Sequence, residues 1–561
     1  MRWTFVVALS LLMAVASLSR AFCEDPRDLQ SVGVGHVHMD VSCSPAVSSE
    51  FDIALALLHN FWYPRALSTF EQIIVADPEC AMAYWGAAMT YNHPFWDAPT
   101  KADEQTAWEL VQKAVGAKEK SSREGMYIDA VAALYRDGGA GTKTDRDRAY
   151  MNAMASVYTE YSDDETKLFY ALSILATIEE GSPWSPQQDL AARLIEQVYA
   201  DDPRHPGALH YMIHAYDDPL HAVQGLKAAR AYAEAAPAVP HALHMPSHIF
   251  TRLGYWDQSA ATNEKAWHVS ESDVEGTGQS GAYRDFHSLN YLQYAYIQLG
   301  RYQDAKRLTD IFAAQYRDLP NKSTSPDTPD LEARHLRGRT IYALPDRVVY
   351  GYFDTLARYI IEAGDWQRSS DLPPAPVSPD FAAMRLLIEA MAAAKQKNAP
   401  AARAAADRIL VLSNEAGQRP LAQEVMAIQA KEAEAEAALA GGDRKKAIAN
   451  MNDAIRIEDS IDALSQPPCP PIPVHELYGT ILLEMNRPAQ AYKQFAQALK
   501  RTPGRPKAIY GLAQSAEALR DNPTAAREYT KFLQVWRNAD QNLSETATAK
   551  RFLASNQSRS K

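Results

Sequence analysis

Two pairs of histidines recur in this sequence at a spacing that suits a metal site. The stretch HPGALHYMIHAYDDP contains His210 and His214, and the stretch VPHALHMPSHIF contains His244 and His248. Four residues make about one turn of an α-helix, so each pair of rings leaves the same helix face. Two imidazoles placed in this way can chelate one ion.

The chemistry that these pairs predict is coordination of a divalent transition metal. Three or four imidazoles with a carboxylate suit Zn²⁺, Fe²⁺, Cu²⁺, Ni²⁺ or Mn²⁺, and Asp217 follows His214 by three residues. No HExxH glutamate separates the paired histidines, so zinc-protease chemistry is not predicted. The alternative is that the rings pack against aromatic side chains or hydrogen-bond as neutral groups.

Pro246 lies inside the second histidine pair. A proline within a helix removes a backbone donor and kinks the chain. The kink would either turn His244 away from a site or supply a distortion that the site uses.

Length and composition describe a large, folded and acidic chain. The 561 residues exceed what one compact core holds, so several domains or an elongated repeat array are expected. Hydrophobic residues make up 47% of the chain and charged residues 22%, as in folded and soluble proteins. The formal net charge of −12 and the lack of a basic stripe argue against nucleic-acid binding.

The first 21 residues have the features of a secretory signal peptide. One early arginine precedes an apolar run from about Phe5 to Leu18, and the small residues Ser19 and Ala21 predict cleavage after Ala21. No other stretch is apolar over about 18 residues, so no membrane span is expected after cleavage. The protein is therefore predicted to be secreted or periplasmic, and the alternative is a retained N-terminal anchor.

Export would make the four cysteines candidates for disulfide bonds. Cys43 and Cys80 flank one predicted helical unit and could be bridged across it, or both could be buried free thiols. Cys23 and Cys469 have no obvious partner. The absence of CxxC and CxxCH motifs argues against a thioredoxin-like site and against covalent haem.

A repeat of fixed length organises the chain. Apolar residues recur at helical spacing almost throughout, which predicts an all-α protein, and Ala491 and Phe495 recur 34 residues later as Ala525 and Tyr529. This pattern resembles the tetratricopeptide repeat (TPR), in which each unit is a pair of antiparallel helices. The resemblance implies a helical-repeat solenoid in which the alanines let helices approach and the aromatic rings fill the space between pairs. About ten to thirteen helix pairs fit the chain.

Predicted loops divide this superhelix into segments. After the signal peptide at 1–21 we expect an extended N-terminal arm at 22–48, followed by four groups of helices. These groups are an N-terminal TPR-like array with a histidine-rich groove at 49–270, central TPR-like repeats at 282–370, helical repeats at 381–465 and a C-terminal tandem TPR at 474–561.

The resemblance also places the histidines relative to a groove. In TPR proteins, the second, fifth and ninth positions of the first helix line the concave surface that holds ligands. Counted in this frame over two successive units, His210 and His244 take the fifth position, and His214 and His248 take the ninth. His241 takes the second position of the later unit. Because neighbouring first helices pack about 8–10 Å apart, the four paired rings are expected to converge on a single point, with Asp217 near the same face. At the same three positions the next unit offers His287, Asn290 and Tyr294.

Other histidines are weaker candidates. His36 and His38 lie in the N-terminal arm, which either folds back into the groove or, as we expect, forms a solvated tail. His93 and His475 are expected to serve packing rather than binding.

The stretches DPECAMAYWGAAM, ALHYMIHAYDDP, PHALHMPSHIFTRLGYW and PVHELYGTILLE resemble an uncharacterised family of exported bacterial TPR proteins. That resemblance implies no particular activity. Our first hypothesis is a groove that binds a metal ion together with a small ligand or a partner. The second is a metal-free scaffold for a protein or peptide partner, and the third is a metalloenzyme that activates water or oxygen at an open coordination position.

Overall fold

The structure is a computed structural model that describes residues 33–95, 99–179, 182–319, 335–336, 339–340, 344–372, 379–415, 420–461 and 471–559. Within these residues the chain forms 25 α-helices, short 3₁₀ turns and one antiparallel pairing of two-residue strands, β1 (His335–Leu336) with β2 (Arg339–Thr340). The prediction of an all-α helical-repeat fold is confirmed. The predicted signal peptide, Cys23 and Cys469 lie outside the described residues. None of the described helices has the length and apolar character needed to cross a membrane.

The helices follow one another along the chain with short connections. Eight precede the first histidine pair: α1 (Ser48–His59), α2 (Tyr63–Ala76), α3 (Ala81–Met89), α4 (Lys101–Gly116), α5 (Ser122–Gly139), α6 (Lys143–Glu160), α7 (Asp164–Ala176) and α8 (Pro186–Asp201). The next seven are α9 (Pro206–Ala215), α10 (Ala222–Ala235), α11 (Pro240–His244), α12 (Pro246–Arg252), α13 (Trp256–Thr277), α14 (Phe286–Gln298) and α15 (Tyr302–Asp318). The last ten are α16 (Leu344–Ala363), α17 (Pro379–Lys395), α18 (Ala399–Glu415), α19 (Pro420–Ala440), α20 (Arg444–Glu458), α21 (Val474–Glu484), α22 (Pro488–Arg501), α23 (Pro506–Ala518), α24 (Asn522–Val535) and α25 (Ser544–Arg559).

Local side-chain chemistry sets several helix ends. Thr100 and Ser121 begin α4 and α5 as capping boxes with Asp103 and Glu124, so that backbone donors at the helix start are paired. Gly278 ends α13 in the left-handed conformation, at φ 66°, that glycine adopts without steric cost. These caps fix the lengths of the helices that pack together.

Successive helices pack against each other in the manner of the predicted repeat. A Cβ atom on Gly479 of α21 would lie 2.8 Å from the Phe495 ring, and one on Gly511 of α23 would clash with the same ring. Phe495 of α22 therefore fills the space between two helices that glycines allow to come close. Ala491 and Tyr529 are fully buried, so these residues have the packing roles that the repeat pattern predicted.

The N-terminal arm packs on the array where it is described. Val34 and Met39 are buried, each 2% exposed, so the expectation of a solvated tail is wrong for residues 33–47. Val37, Met39 and Val41 alternate with exposed residues and give this part of the arm a buried face. Of the two alternatives that the sequence left open for Cys43 and Cys80, the structure has the disulfide, with Cα atoms 4.6 Å apart, and it attaches the arm to the start of α3.

The C-terminal repeats also contact the middle of the chain. The indole Nε1 of Trp256 donates to the Gly504 carbonyl at 2.8 Å, and that of Trp536 donates to the Gln298 carbonyl at 3.1 Å. A Cβ atom on Gly504 would lie 3.0 Å from the Cα atom of Gly254. The repeats therefore do not contact only their sequence neighbours, as they would in a simple linear array.

Buried carboxyl groups in α19 and α20 make the stability of the C-terminal repeats depend on pH. Glu432 is 1% exposed, and its Oε1 atom accepts no hydrogen bond in the described part of the chain. Burial, with the nearby charges of Glu458 and Glu436, raises the pKa of Glu432 well above its usual value. The folded protein therefore keeps a proton that the unfolded chain releases at lower pH. The proton's contribution to the free energy of unfolding is fully present at pH values below the pKa of Glu432 in the unfolded chain. It is lost as the pH rises through the pKa of Glu432 in the folded protein.

We expect Glu432→Gln to raise the free energy of unfolding by about 1–2 kcal/mol at pH 8 and to leave it unchanged near pH 4, because the amide has no proton to lose. Urea midpoints of the variant and the wild type at the two pH values measure the effect. Glu434→Gln is the matched control, since Glu434 lies on the same helix and pairs with Lys431 at 3.0 Å. Equal pH dependence in the Glu432→Gln variant and the wild type would contradict the prediction.

Candidate metal centre

Pro246 interrupts the helix that carries the second histidine pair. Helix α11 ends at His244 and α12 begins at Pro246. The first residue of a helix has no intrahelical partner for its backbone N–H, so a proline, which has no N–H, is tolerated there. The Nε2 atoms of His244 and His248 nevertheless lie 3.0 Å apart. The break therefore does not turn His244 away from its partner.

Three histidines from two successive units meet at one place, and we call them the first trio. The Nε2 atom of His210 lies 3.1 Å from the Nε2 atom of His214 and 3.0 Å from that of His241. His210 and His214 belong to α9, whereas His241 belongs to α11. His210 is buried and the other two are partly exposed. The first trio thus spans the junction between two helix pairs.

A second trio has the same construction one unit further along. It consists of His244 of α11, His248 of α12 and His287 of α14, and one ring nitrogen from each lies within 4.8 Å of the others. The ring centroid of His287 lies 4.6 Å from that of His244 and 6.0 Å from that of His248. His244 is buried and His287 is exposed, so this trio opens to the surface.

Hydrogen bonds fix which nitrogen carries the proton in two of these rings. The Nδ1–H of His210 donates to the backbone carbonyl of His59 at 2.7 Å. The Nδ1–H of His244 donates to Oδ1 of Asn263 at 2.7 Å, and the amide nitrogen of Asn263 donates to the Ser259 carbonyl at 2.8 Å. Because that second bond defines the amide orientation, the atom facing His244 is an acceptor. A neutral ring with its proton on Nδ1 has a lone pair on Nε2.

Asp217 fixes the third ring. The Nδ1–H of His248 donates to Oδ2 of Asp217 at 2.8 Å, while Nε of Arg252 donates to Oδ1 at 2.8 Å. Burial opposes the charge, but Arg252 and His248 hold the pKa of Asp217 well below its usual range, so it remains a carboxylate. A carboxylate that accepts the second N–H of a histidine is the usual support of a metal-binding ring.

These bonds leave nitrogen lone pairs facing each other. His244 and His248 both carry their proton on Nδ1, yet their Nε2 atoms lie 3.0 Å apart. Two lone pairs at this separation repel each other unless a proton or a cation lies between them. In the first trio the unprotonated Nε2 of His210 faces two further Nε2 atoms. The His244–His248 pair therefore has the donor arrangement that metal coordination requires, and the Nε2 atoms of the first trio are close enough to share one cation or one proton.

Burial keeps three of the six rings in the neutral form that binds metals. Burial lowers the pKa of His210 to about 3 and that of His244 to about 4. Burial also lowers the pKa of His241 well below its usual value, and the charges of neighbouring histidines add to the effect. Neutral imidazole is a metal ligand, whereas imidazolium is not.

Aromatic side chains enclose the first trio. Phe61 has a left-handed backbone conformation, φ 56°, which is strained for a bulky residue. Its ring centroid lies 4.3 Å from that of His210 and 5.9 Å from those of His214 and His241. Phe95 stacks on His214 at 4.1 Å. This apolar wall limits water on one side of the trio and strengthens electrostatic interactions within it.

The structure corrects the expectation that the four paired rings converge on a single point. Each pair is instead completed by the second-position histidine of the next unit, His241 for the first pair and His287 for the second. The ring centroids of His241 and His244, which belong to different trios, lie 6.1 Å apart. The two clusters are adjacent but separate.

Asn290 and Tyr294 lie outside both trios. The amide of Asn290 donates to Asp354 at 2.8 Å, and the hydroxyl of Tyr294 accepts a bond from Arg505 at 3.2 Å. Both side chains therefore serve contacts between repeats. Asp217 follows the His210–His214 pair in the sequence, but its hydrogen bond is to His248, so it supports the second trio.

Sequence reasoning missed a third cluster, formed by His59, Glu165 and His205. His59 Nε2–H donates to one carboxylate oxygen of Glu165 at 2.7 Å, and His205 Nε2–H donates to the other at 3.1 Å. The remaining ring nitrogens accept bonds from the Tyr211 hydroxyl at 2.9 Å and from backbone N–H groups at the start of α9. All four ring nitrogens of His59 and His205 are paired, so the cluster is a hydrogen-bonded network of the core. It also positions the His59 backbone carbonyl, which accepts the bond from His210. No local motif joins residues that lie 106 positions apart.

The weaker candidates take no part in either trio. His93 stacks on Tyr63 with ring centroids 4.4 Å apart, and His475 bonds to Gln494 at 2.6 Å. The stacking of His93 is the packing role that the sequence indicated, whereas His475 also bonds to Asp459 at 3.3 Å and forms a polar group with it and Glu458. His38 bonds to a surface aspartate at 2.9 Å.

The helix pairs and the two histidine clusters define an all-α helical-repeat protein with candidate ligand groups at two unit junctions. No family model matches the chain, and no curated protein matches its sequence. A human IFIT1 dimer with m7Gppp-AAAA is similar at 12% identity, covering 84% of this chain and 90% of that chain, with a TM-score of 0.33. A monomeric IFIT1 mutant with Gppp-AAAA is similar at 12% identity over the same shares, with a TM-score of 0.34. A likeness of this size carries no argument about what the present chain binds.

Proposed function

We propose that this protein binds a transition-metal ion through the histidines of its groove and presents it to a small ligand or a partner. The observation that supports the proposal most strongly is the pair of Nε2 atoms of His244 and His248. They lie 3.0 Å apart while both ring protons are held on the opposite side by Asn263 and Asp217. A bound cation would turn this repulsion into coordination.

The donor set favours a particular group of metals. Each trio supplies three imidazole nitrogens and no carboxylate oxygen. Imidazole suits Zn²⁺, Cu²⁺, Ni²⁺ and Fe²⁺, whereas Mn²⁺ prefers carboxylate and water oxygens. Three histidines also leave a coordination position for water or a ligand, as in catalytic zinc sites. A metalloenzyme is therefore a special case of the proposal, and it requires that position to be open.

The test is the metal content of protein purified without a histidine tag and offered Zn²⁺, Cu²⁺, Ni²⁺, Fe²⁺ or Mn²⁺ in turn. We expect at least one ion per chain after dialysis. At a free concentration 100 times the Kd, one ion adds about 2.7 kcal/mol to the free energy of unfolding, visible as a rise in Tm. His268→Gln changes an exposed histidine that belongs to no candidate metal group in the described residues, and it should leave both readouts unchanged.

Metal content well below one ion per chain would contradict the proposal. The protein would then be the metal-free scaffold for a peptide or protein partner, which is the common role of helical repeats.

We also propose that the protein is exported. The support is the apolar N-terminal segment together with the Cys43–Cys80 disulfide, because disulfides persist mainly in oxidising compartments. Mass analysis of the chain from its native host should find an N-terminus near Phe22, and an intact Met1 would contradict export.

A further inference from the structure

The two trios are copies of one site, made by the repeat itself. His210 and His214 recur 34 residues later as His244 and His248. In each case the third ring comes from the second position of the following first helix. Two independent junctions thus have the same ligand set, and neither borrows a ligand from the other.

The trios are also neighbours. His241 and His244 lie on the short helix α11, three residues and therefore about one turn apart, yet they belong to different trios. Their ring centroids are 6.1 Å apart. An imidazole–metal bond is about 2.0 Å long, so ions held by the two trios would be close enough to interact.

Charge indicates what would complete such a pair of ions. Six neutral imidazoles contribute no negative charge, and the carboxylate that supports His248 already pairs with Arg252 at 2.8 Å. Two divalent cations at this place would therefore attract an anion strongly. Access is available at the second trio, where His287 is exposed.

We infer that the trios form a two-ion centre, with one transition-metal ion on each trio and one small inorganic anion that bridges both. This inference rests on the proposed metal binding but goes further in stoichiometry, in the distance between ions and in the class of ligand.

Variants in single trios test the stoichiometry. Untagged wild-type protein should retain two Zn²⁺ ions per chain, and His210→Gln and His244→Gln should each retain one. The control His268→Gln should retain two. One ion in the wild type that is lost in either variant would overturn the two-ion centre and leave the proposed function intact. No ion in the wild type would overturn both.

Loading with Cu²⁺ tests whether the ions are close. Electron paramagnetic resonance of the wild type should show a spin-coupled pair, with reduced intensity at the ordinary Cu²⁺ position and a half-field signal. Each single variant should show one isolated Cu²⁺ at full intensity. Two uncoupled ions in the wild type would overturn the shared centre.

Azide is the probe for the bridging position. We expect one azide per chain to change the spectrum of the Cu²⁺ pair, and to bind at least tenfold more weakly to either single variant. Equal azide affinity in wild type and variants would overturn the bridging ligand.

The variants must fold for these outcomes to count. His210 and His244 are buried, but His287 is exposed, so His287→Gln removes a ligand of the second trio without disturbing the core. With metal removed from both proteins, we expect it to have the same Tm as the wild type, and after loading with metal it should hold one ion instead of two. Retention of both ions with unchanged affinity would contradict a second site that includes His287.

Discussion

Replacing Arg505 by alanine is expected to lower the free energy of unfolding by about 3–5 kcal/mol, because it removes the counter-charge of buried Glu476 and leaves buried Glu362 with Lys507 alone. Nε of Arg505 donates to Glu476 at 2.6 Å, and Nη2 donates to Glu362 at 2.6 Å. All three side chains are nearly inaccessible to water. The remaining partner, Lys507, reaches Glu362 only, at 3.2 Å.

The network also joins distant parts of the chain. Glu476 belongs to α21, Glu362 to α16, and Nη1 of Arg505 donates to the hydroxyl of Tyr294 in α14 at 3.2 Å. Loss of the guanidinium would therefore weaken the contact between the C-terminal repeats and the central helices. Both the local charge balance and the long-range contact depend on this one side chain.

Urea denaturation followed by circular dichroism measures the effect as a shift in midpoint. Arg527→Ala is the matched control. Arg527 lies in α24, the helix that follows α23, is half exposed, and pairs with Glu528 of the same helix at 2.8 Å. Glu528 is buried but keeps a second partner, Lys531, at 3.1 Å, so loss of the exposed Arg527 should cost only about 0–1 kcal/mol. If the two variants unfold at the same urea concentration, the buried network does not hold the C-terminal repeats in place.

The repeat pattern was sufficient to predict the local packing. Alanine and aromatic positions spaced by 34 residues identified Ala491, Phe495 and Tyr529 as packing residues. Their roles are set by contacts within a unit and between adjacent units, which the periodicity of a helix determines. For the same reason the positions of His210 and His244 on their helices could be read from the sequence.

The grouping of the histidines could not be read in this way. The pattern places a ring at the second, fifth or ninth position of a helix, but the angle between successive units decides which rings meet. His241 therefore joined the pair of the preceding unit rather than the one on its own helix. Asn263, which orients His244 from α13, has no signature because its role depends on a single hydrogen bond.

The long-range contacts were also beyond the sequence. Arg505 lies just before α23 in the stretch TPGRPKA, where nothing local marks it as buried. Its carboxylate partner Glu362 is 143 residues away. Reasoning from neighbouring repeats predicts only neighbouring contacts, so the packing of Gly254 against Gly504 was missed as well.

Asp217→Asn is expected to weaken the binding of one metal ion by about 10–100-fold, the range measured when the support of a metal-bound histidine is removed. The Asp217 carboxylate accepts the Nδ1–H of His248 at 2.8 Å, which directs the Nε2 atom of that ring toward His244. An amide of the same shape has no charge, and its NH₂ group would face a proton if it turned toward the ring. Only the second trio depends on this bond, so the other ion should bind as in the wild type.

Competition with a chelator for Zn²⁺ resolves the two affinities, and Asp218→Asn provides the control. Asp218 is adjacent in the sequence, but its carboxylate accepts the Nδ1–H of His221 at 2.8 Å, a ring outside both trios. Metal affinity should therefore be unchanged in Asp218→Asn. Because Asp217 also holds Arg252, the Tm of the metal-free variant should be recorded to separate a loss of stability from a loss of affinity. Equal weakening of both ions would show that Asp217 acts on the fold as a whole, whereas weakening of one ion would show that it positions His248.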